Sequence, residues 1–162
     1  MMESIRTKGL KLKTKRIFLK KGTCSRTFYF ILNREFGNPM DLEENAIDPL
    51  AGGIHQQGYQ CGMLWGSAMA LGAEAYRRFD GDVDKATGIS IRGTAHLMKS
   101  FKEKANTISC DEITSCDFSN KWSFLKYMLS GKFYGCFRLA GKWAPNAIKA
   151  AREGLELSSA EL

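Results

Sequence analysis

Apolar residues recur at helical spacing along most of the chain. From Tyr59 to Phe79 nearly every third or fourth position is apolar or small, and residues 83–105 repeat this pattern. Such spacing is typical of amphipathic helices that pack on a shared core. Further helical segments are predicted at 23–36, 41–51, 109–114, 120–129 and 133–157. No alternating strand pattern or hairpin turn is visible in the sequence, so we predict an all-α bundle of about five to seven helices.

Glycine and proline mark the limits of these segments. Gly22 separates residues 4–21, which fit either a helix or an extended arm, from the segment that follows. Pro49 lies inside 41–51, so that helix is either broken there or begins later. Pro145 is expected to kink or split the last helix.

Composition and length are those of one globular domain. The 162 residues are 44% hydrophobic and 25% charged, which argues against a disordered chain. No apolar run is long enough for a membrane span, and no apolar stretch follows the basic N-terminus as in a secretory signal. We therefore expect a cytoplasmic protein, in which cysteines more often bind metal or do redox chemistry than form structural disulfides.

Positive charge is concentrated near the N-terminus. The net charge is +7, and residues 1–40 carry ten Lys and Arg against only Glu3 and Glu35. We therefore divide the chain into a basic segment, 1–21, and a helical domain, 22–157. Such a segment can contact nucleic acid or another protein, which makes a non-catalytic binding module one candidate function. Before residue 28 its only aromatic side chain is Phe18, which disfavours base stacking and hence nucleic acid.

Five cysteines are the main candidates for chemistry. They are Cys24, Cys61, Cys110, Cys116 and Cys136. No C-x-x-C pair occurs, which disfavours a zinc ribbon, a thioredoxin-type site and c-type haem attachment. Separated thiols can still converge in a helical bundle, within one chain or across a homodimer. Cys24 and Cys61 are predicted in the first turns of helices, where the helix dipole favours the thiolate that binds metal or attacks.

Small residues repeat around Cys61. Gly58, Gly62 and Gly66 are four residues apart, and each glycine within a helix costs about 1 kcal/mol relative to alanine. A favourable interaction that requires small residues must compensate for this cost. Close packing of another helix and clearance for a bulky cofactor are both compatible with the pattern.

The run from Cys61 to Gly66 resembles the C-G-A-x-x-G core of the redox-active family called C_GCAxxG_C_C. Cys24, Cys110 and Cys136 are similar to the first, third and last cysteines of that family. The resemblance covers about residues 22–155, with Gly52, Gly53 and Gly58 as the glycine-rich approach to the core. Met63 departs from the family, which has a small residue there. Cys116 is an additional candidate that could replace Cys110 or Cys136.

The resemblance implies a helical domain with a redox role. It suggests an iron–sulfur cluster held by Cys24, Cys61, Cys110 and Cys136, with Cys116 as a further candidate ligand, and an electron-transfer protein or oxidoreductase with an unidentified redox partner protein. The glycine spacing described above suggests that Gly58, Gly62 and Gly66 border the cofactor. A related domain occurs in split-Soret cytochromes, but no haem is expected here because there is no C-x-x-C-H motif and only His55 and His96 could be axial ligands.

Two other chemistries remain open for these thiols. Soft thiolate ligands suit zinc as well as iron–sulfur clusters. Without metal, Cys61 could attack a disulfide, with Cys24 or Cys110 as the resolving thiol.

Overall fold

The computed structural model describes residues 2–157, with side chains from residue 9 onward. Within these residues eight α-helices and one 3-10 turn form an all-α bundle with no strand, so the predicted fold class is confirmed. The helices are α1 (Met2–Lys21), α2 (Cys24–Glu35), α3 (Asp41–Ala46), α4 (Gly62–Arg78), α5 (Val83–Ala105), α6 (Cys110–Thr114), α7 (Lys121–Leu129) and α8 (Tyr134–Leu155). None of them is long and apolar enough to cross a membrane.

Proline affects two predicted helices differently. Pro49 lies in a 3-10 turn, Asp48–Leu50, so the predicted segment 41–51 is broken there into α3 and this turn. The last helix, α8, is not split, because it continues through Pro145. Trp143, Ala144 and Ala147 beside this proline are fully buried, and their packing favours the helical path on both sides of it.

The core forms where α2, α4, α5 and α8 pack together. Trp143 of α8 is fully buried at its centre. Its ring stacks on Phe28 at 4.8 Å and meets Phe101 edge-on at 4.7 Å between ring centroids. Its Nε1–H donates to Ser100 Oγ at 3.1 Å, so the one polar atom of the indole is satisfied.

Residues 2–21 of the basic N-terminal segment form α1, which packs along α8. Thr14 is fully buried and donates its hydroxyl to the Leu10 carbonyl at 2.8 Å. Phe18 is buried and meets Phe137 of α8 edge-on at 4.6 Å between centroids. The second half of α1 therefore contributes to the apolar core. The division of domains at residue 21 stays a prediction.

Helices α2 and α4 are in backbone contact at Gly66. A Cβ atom at this position would overlap the carbonyl oxygen of Ser25 and lie 3.0 Å from the Tyr29 nitrogen. Of the two explanations for the repeated glycines, close helix packing is therefore the one that the surroundings of Gly66 support.

We expect Gly66→Ala to destabilise the protein by about 3 kcal/mol, because the added methyl group forces two packed backbones apart. The free energy of unfolding of the metal-free protein, measured by denaturant titration with far-UV circular dichroism, checks this. Gly72→Ala in the same helix is the matched control, since its Cβ meets only Ser90 Oγ, at 3.1 Å, which can rotate away. Equal losses for the two variants would contradict the explanation.

Candidate functional site

Four of the five cysteines line one cavity of about 380 Å³. They are Cys24, Cys61, Cys110 and Cys136. Cys61 and Cys110 are buried, whereas Cys24 and Cys136 are half-buried, and all the cysteines are free thiols. The residues that line the cavity in the described part of the chain are all uncharged. Folding of a single chain therefore gathers four scattered thiols around one apolar space.

Each of these cysteines lies at the start of a helix. Cys24 is the first residue of α2, and Cys61 directly precedes α4. Cys110 is the first residue of α6, and Cys136 is in the first turn of α8. The positive ends of the helix dipoles therefore surround the cavity, an arrangement that favours negative charge there.

A short backbone pairing sets Cys61 beside Cys110. The N–H of Cys61 donates to the Ile108 carbonyl at 2.8 Å, and the N–H of Cys110 donates to the Tyr59 carbonyl at 2.6 Å. These bonds flank an isolated antiparallel bridge between the approaches to α4 and α6. The pairing explains why α4 begins at Gly62 and not at Tyr59, and it fixes the relative position of two cysteines that are distant in sequence.

Gly62 makes room for Cys24. A Cβ atom at Gly62 would lie 2.6 Å from the Cys24 sulfur and 3.0 Å from the Leu50 carbonyl oxygen. The start of α2 is held against the 3-10 turn by Thr23, whose hydroxyl donates to Asp48 Oδ1 at 2.8 Å. The glycine that follows Cys61 thus decides where a second cysteine of the cavity can lie.

Residues 52–56 form a left-handed turn at the cavity wall. All five have positive φ, and three of them are Ile54, His55 and Gln56, with φ between 47° and 61°. This conformation costs non-glycine residues about 1–2 kcal/mol each. The turn places Gly52 and Gln56 in the cavity lining, where the backbone of Gly52 acts to lower the pKa of Cys24 against the larger effect of burial. Backbone strain of this kind is concentrated at functional positions.

The three glycines suggested to border a cofactor have different surroundings. Gly62 lies against the sulfur of Cys24, as described above. Gly58 (φ 78°) is where the loop crosses the start of α6, and a Cβ there would lie 2.9 Å from Asp111 Cβ. Gly66 lies against the backbone of α2. Their role in cofactor binding stays a prediction.

Tyr127 is a polar partner of the site that sequence reasoning missed. Its side chain is 7% exposed, and its hydroxyl lies 3.3 Å from the Cys136 sulfur. Phe18, Phe133 and Phe137 form an aromatic wall beside it. A lone tyrosine in an apolar helix has no sequence signal that distinguishes it from a core residue.

Burial keeps the cavity thiols protonated. It raises the pKa of Cys24, and it raises the pKa of Cys61 well above its usual range, with repulsion from Cys24 and Cys110 adding to the effect at Cys61. Burial also raises the pKa of Cys110 to about 12. The expectation that helix N-termini favour the thiolate at Cys24 and Cys61 is therefore wrong for the free protein, because desolvation outweighs the backbone N–H groups.

Cys116 lies outside this cavity. It is buried, and its sulfur contacts the Ser123 hydroxyl at 3.6 Å. It borders a separate surface groove together with Gly58 and Asp117. His55 and His96 are both exposed and do not line the cavity.

The four cavity thiols can be compared with the ligands of a single zinc ion and with those of an iron–sulfur cluster. Among residues 2–157 no three His, Cys, Asp or Glu side chains are close enough together to hold a single metal ion. A single zinc ion therefore does not fit the thiols as they lie. An iron–sulfur cluster takes four thiolates and spreads them around several atoms, so its ligands stand farther apart. The four thiols that line the cavity match the number and kind of ligands that such a cluster takes.

Comparison with known proteins gives one family. The family model described as "Putative redox-active protein (C_GCAxxG_C_C)" matches residues 23–147, which is most of the chain and includes all five cysteines. No curated protein and no solved structure matches the chain.

Proposed function

Because the chain belongs to the C_GCAxxG_C_C family of redox-active proteins, we propose that it transfers electrons through an iron–sulfur cluster. Cys24, Cys61, Cys110 and Cys136 would be the ligands. The observation that carries the proposal is that these four thiols, and no others in the described chain, line one cavity. We expect this activity in the reducing cytoplasm, where thiols stay available for metal.

The electrostatics of the cavity support an anionic group. A cluster with four thiolate ligands is an anion, and the cavity lining contains no Lys or Arg to balance it. The helix N-termini at the four cysteines supply partial positive charge instead. In the free protein this effect is smaller than the cost of desolvation, so the thiols stay protonated. Metal binding also displaces the thiol protons, so protonated thiols in the free protein are compatible with ligation.

The four cysteines and the aromatic side chains around them have different roles in the proposed site. Cys61 and Cys110 are buried and held in register by backbone hydrogen bonds, so they form the rigid side of the site. Cys24 and Cys136 are half-buried and lie on its more accessible side. The aromatic wall restricts the entry of water. When bound, the cluster would supply one-electron redox chemistry.

We expect Tyr127→Phe to make the reduction potential more negative without loss of iron. The Tyr127 hydroxyl can donate a hydrogen bond to the Cys136 thiolate, and this bond stabilises the more negative reduced state. A redox titration followed by electron paramagnetic resonance measures the shift. Tyr134→Phe is the control, since Tyr134 is 60% exposed and does not line the cavity. Equal potentials for wild type and Tyr127→Phe would refute this role.

Iron and acid-labile sulfide analysis of anaerobically purified protein tests the proposal directly. We expect brown protein with visible charge-transfer absorbance. Colourless protein that takes up no iron or sulfide on anaerobic reconstitution would sink it. If such protein had one fast-reacting thiol that Cys61→Ser removes, the result would support thiol–disulfide chemistry instead.

A further inference from the structure

Helix α7 has an apolar face on each side. Phe124, Tyr127 and Met128, spaced three and four residues apart, line the cysteine cavity. The opposite side carries Trp122 and Leu129, both 79% exposed, and Leu125, 46% exposed. Large apolar side chains exposed together at helical spacing are unusual on a monomer and mark an interaction surface.

This outer face of α7 lies in a strongly basic part of the sequence. From Phe118 to Arg152 the chain has no acidic residue, while it has Lys121, Lys126, Lys132, Arg138, Lys142, Lys149 and Arg152. The first three lysines are exposed, and two of them, Lys121 and Lys126, are on α7 itself. Trp122, Lys126 and Lys132 also border a surface groove of about 380 Å³. The surface therefore has an apolar centre with three exposed lysines near it, while Asp117 lies near the start of α7.

We propose that the outer face of α7, defined by Trp122, Leu125 and Leu129 with Lys121 and Lys126, docks an acidic one-electron carrier protein. The inference rests on the proposed function, for which it names the partner. Charge complementarity favours an acidic protein and speeds its encounter. An aromatic anchor inside a charged rim is typical of protein interfaces.

The position of α7 would bring a docked carrier close to the cysteine cavity. One helix separates the docked carrier from the four cysteines, because the inner face of α7 lines their cavity. When a cluster is held by Cys24, Cys61, Cys110 and Cys136, it would accept the one electron that the carrier loses. No bond is made or broken, and no proton is required.

A membrane surface fits less well than a protein. An amphipathic helix bound to lipid buries its apolar face in the bilayer. Here one apolar face of α7 lines the cavity, which leaves three outer residues on a helix of nine. So small a patch suits a compact protein contact.

Binding to an acidic plant-type ferredoxin and to a flavodoxin, measured by isothermal titration calorimetry with the full chain, tests the proposal. We expect the Kd to rise about tenfold between low and physiological salt. Trp122→Ala should weaken binding about tenfold or more, and the double variant Lys121→Glu with Lys126→Glu should do so as well. Two controls on α5 match these changes. Ile91→Ala removes an exposed apolar side chain, and the double variant Lys99→Glu with Lys104→Glu reverses two exposed charges. Both should leave the Kd unchanged.

The outcomes separate docking from cluster binding. Iron-loaded protein that binds neither carrier, or binds both with no dependence on Trp122, overturns the docking surface while the proposed function stands. Salt-dependent binding by protein that never takes up iron overturns the proposed function and leaves the docking surface. Trp122-dependent binding to phosphatidylserine vesicles, or Trp122-dependent self-association, would overturn the proposal by assigning a different occupant.

Discussion

Cys61→Ser is expected to lower the iron content per chain by about tenfold or more. Removing a residue that only hydrogen-bonds to a metal ligand already costs about 10- to 100-fold in affinity, and Cys61 is proposed as a ligand itself. Cys61 is 3% exposed and is held in register with Cys110 by backbone hydrogen bonds. A serine hydroxyl is a much poorer ligand for iron than a thiolate. Iron, sulfide and visible absorbance of the anaerobically reconstituted variant give the measurement.

Cys116→Ser is the matched control for this experiment. Cys116 is also 3% exposed, so the same chemical change is made at the same degree of burial. Because its sulfur contacts Ser123 outside the cavity, we expect normal iron content. Unfolding midpoints of the two metal-free variants distinguish lost ligation from lost folding. If Cys116→Ser lost as much iron as Cys61→Ser, the assignment of the four ligands would be wrong.

Gly62→Ala is expected to have the second largest effect, although it removes no ligand. The added methyl group would lie 2.6 Å from the Cys24 sulfur and 3.0 Å from the Leu50 oxygen, so both must move. We expect about 2 kcal/mol loss of stability in the metal-free protein. Displacement of Cys24 should also lower the iron content about tenfold, in line with other changes that misplace a metal ligand.

A double-mutant cycle with Cys24→Ala identifies the cause. In the Cys24→Ala protein the sulfur is gone, so Gly62→Ala meets only the Leu50 side of the clash. We expect a coupling free energy of about 1 kcal/mol or more between the two sites. Strict additivity of the two stability changes would show that Gly62 does not act through Cys24. Gly72→Ala, on the same helix, controls for the general effect of alanine on helix stability.

Local structure was largely predictable from the sequence. The bounds of α5 are those predicted from its apolar repeat, and the break at Pro49 follows from the missing N–H of proline. Helix periodicity and turn residues depend on neighbours within a few positions, so one sequence contains the required information. The same holds for the order of cysteines and glycines that indicated the family.

The grouping of those residues depended on the tertiary structure. Cys110 and Cys116 are six residues apart, yet only Cys110 lines the cavity. Gly62 and Gly66 look alike in sequence, yet one lies against a sulfur and the other against a backbone. The pKa direction at Cys24 and Cys61 was predicted wrongly because the helix start is local whereas burial is not. The sequence by itself thus determined the helices and the candidate thiols. Only the folded chain decided which thiols meet and which helix face stays exposed, because both depend on distances between residues remote along the chain.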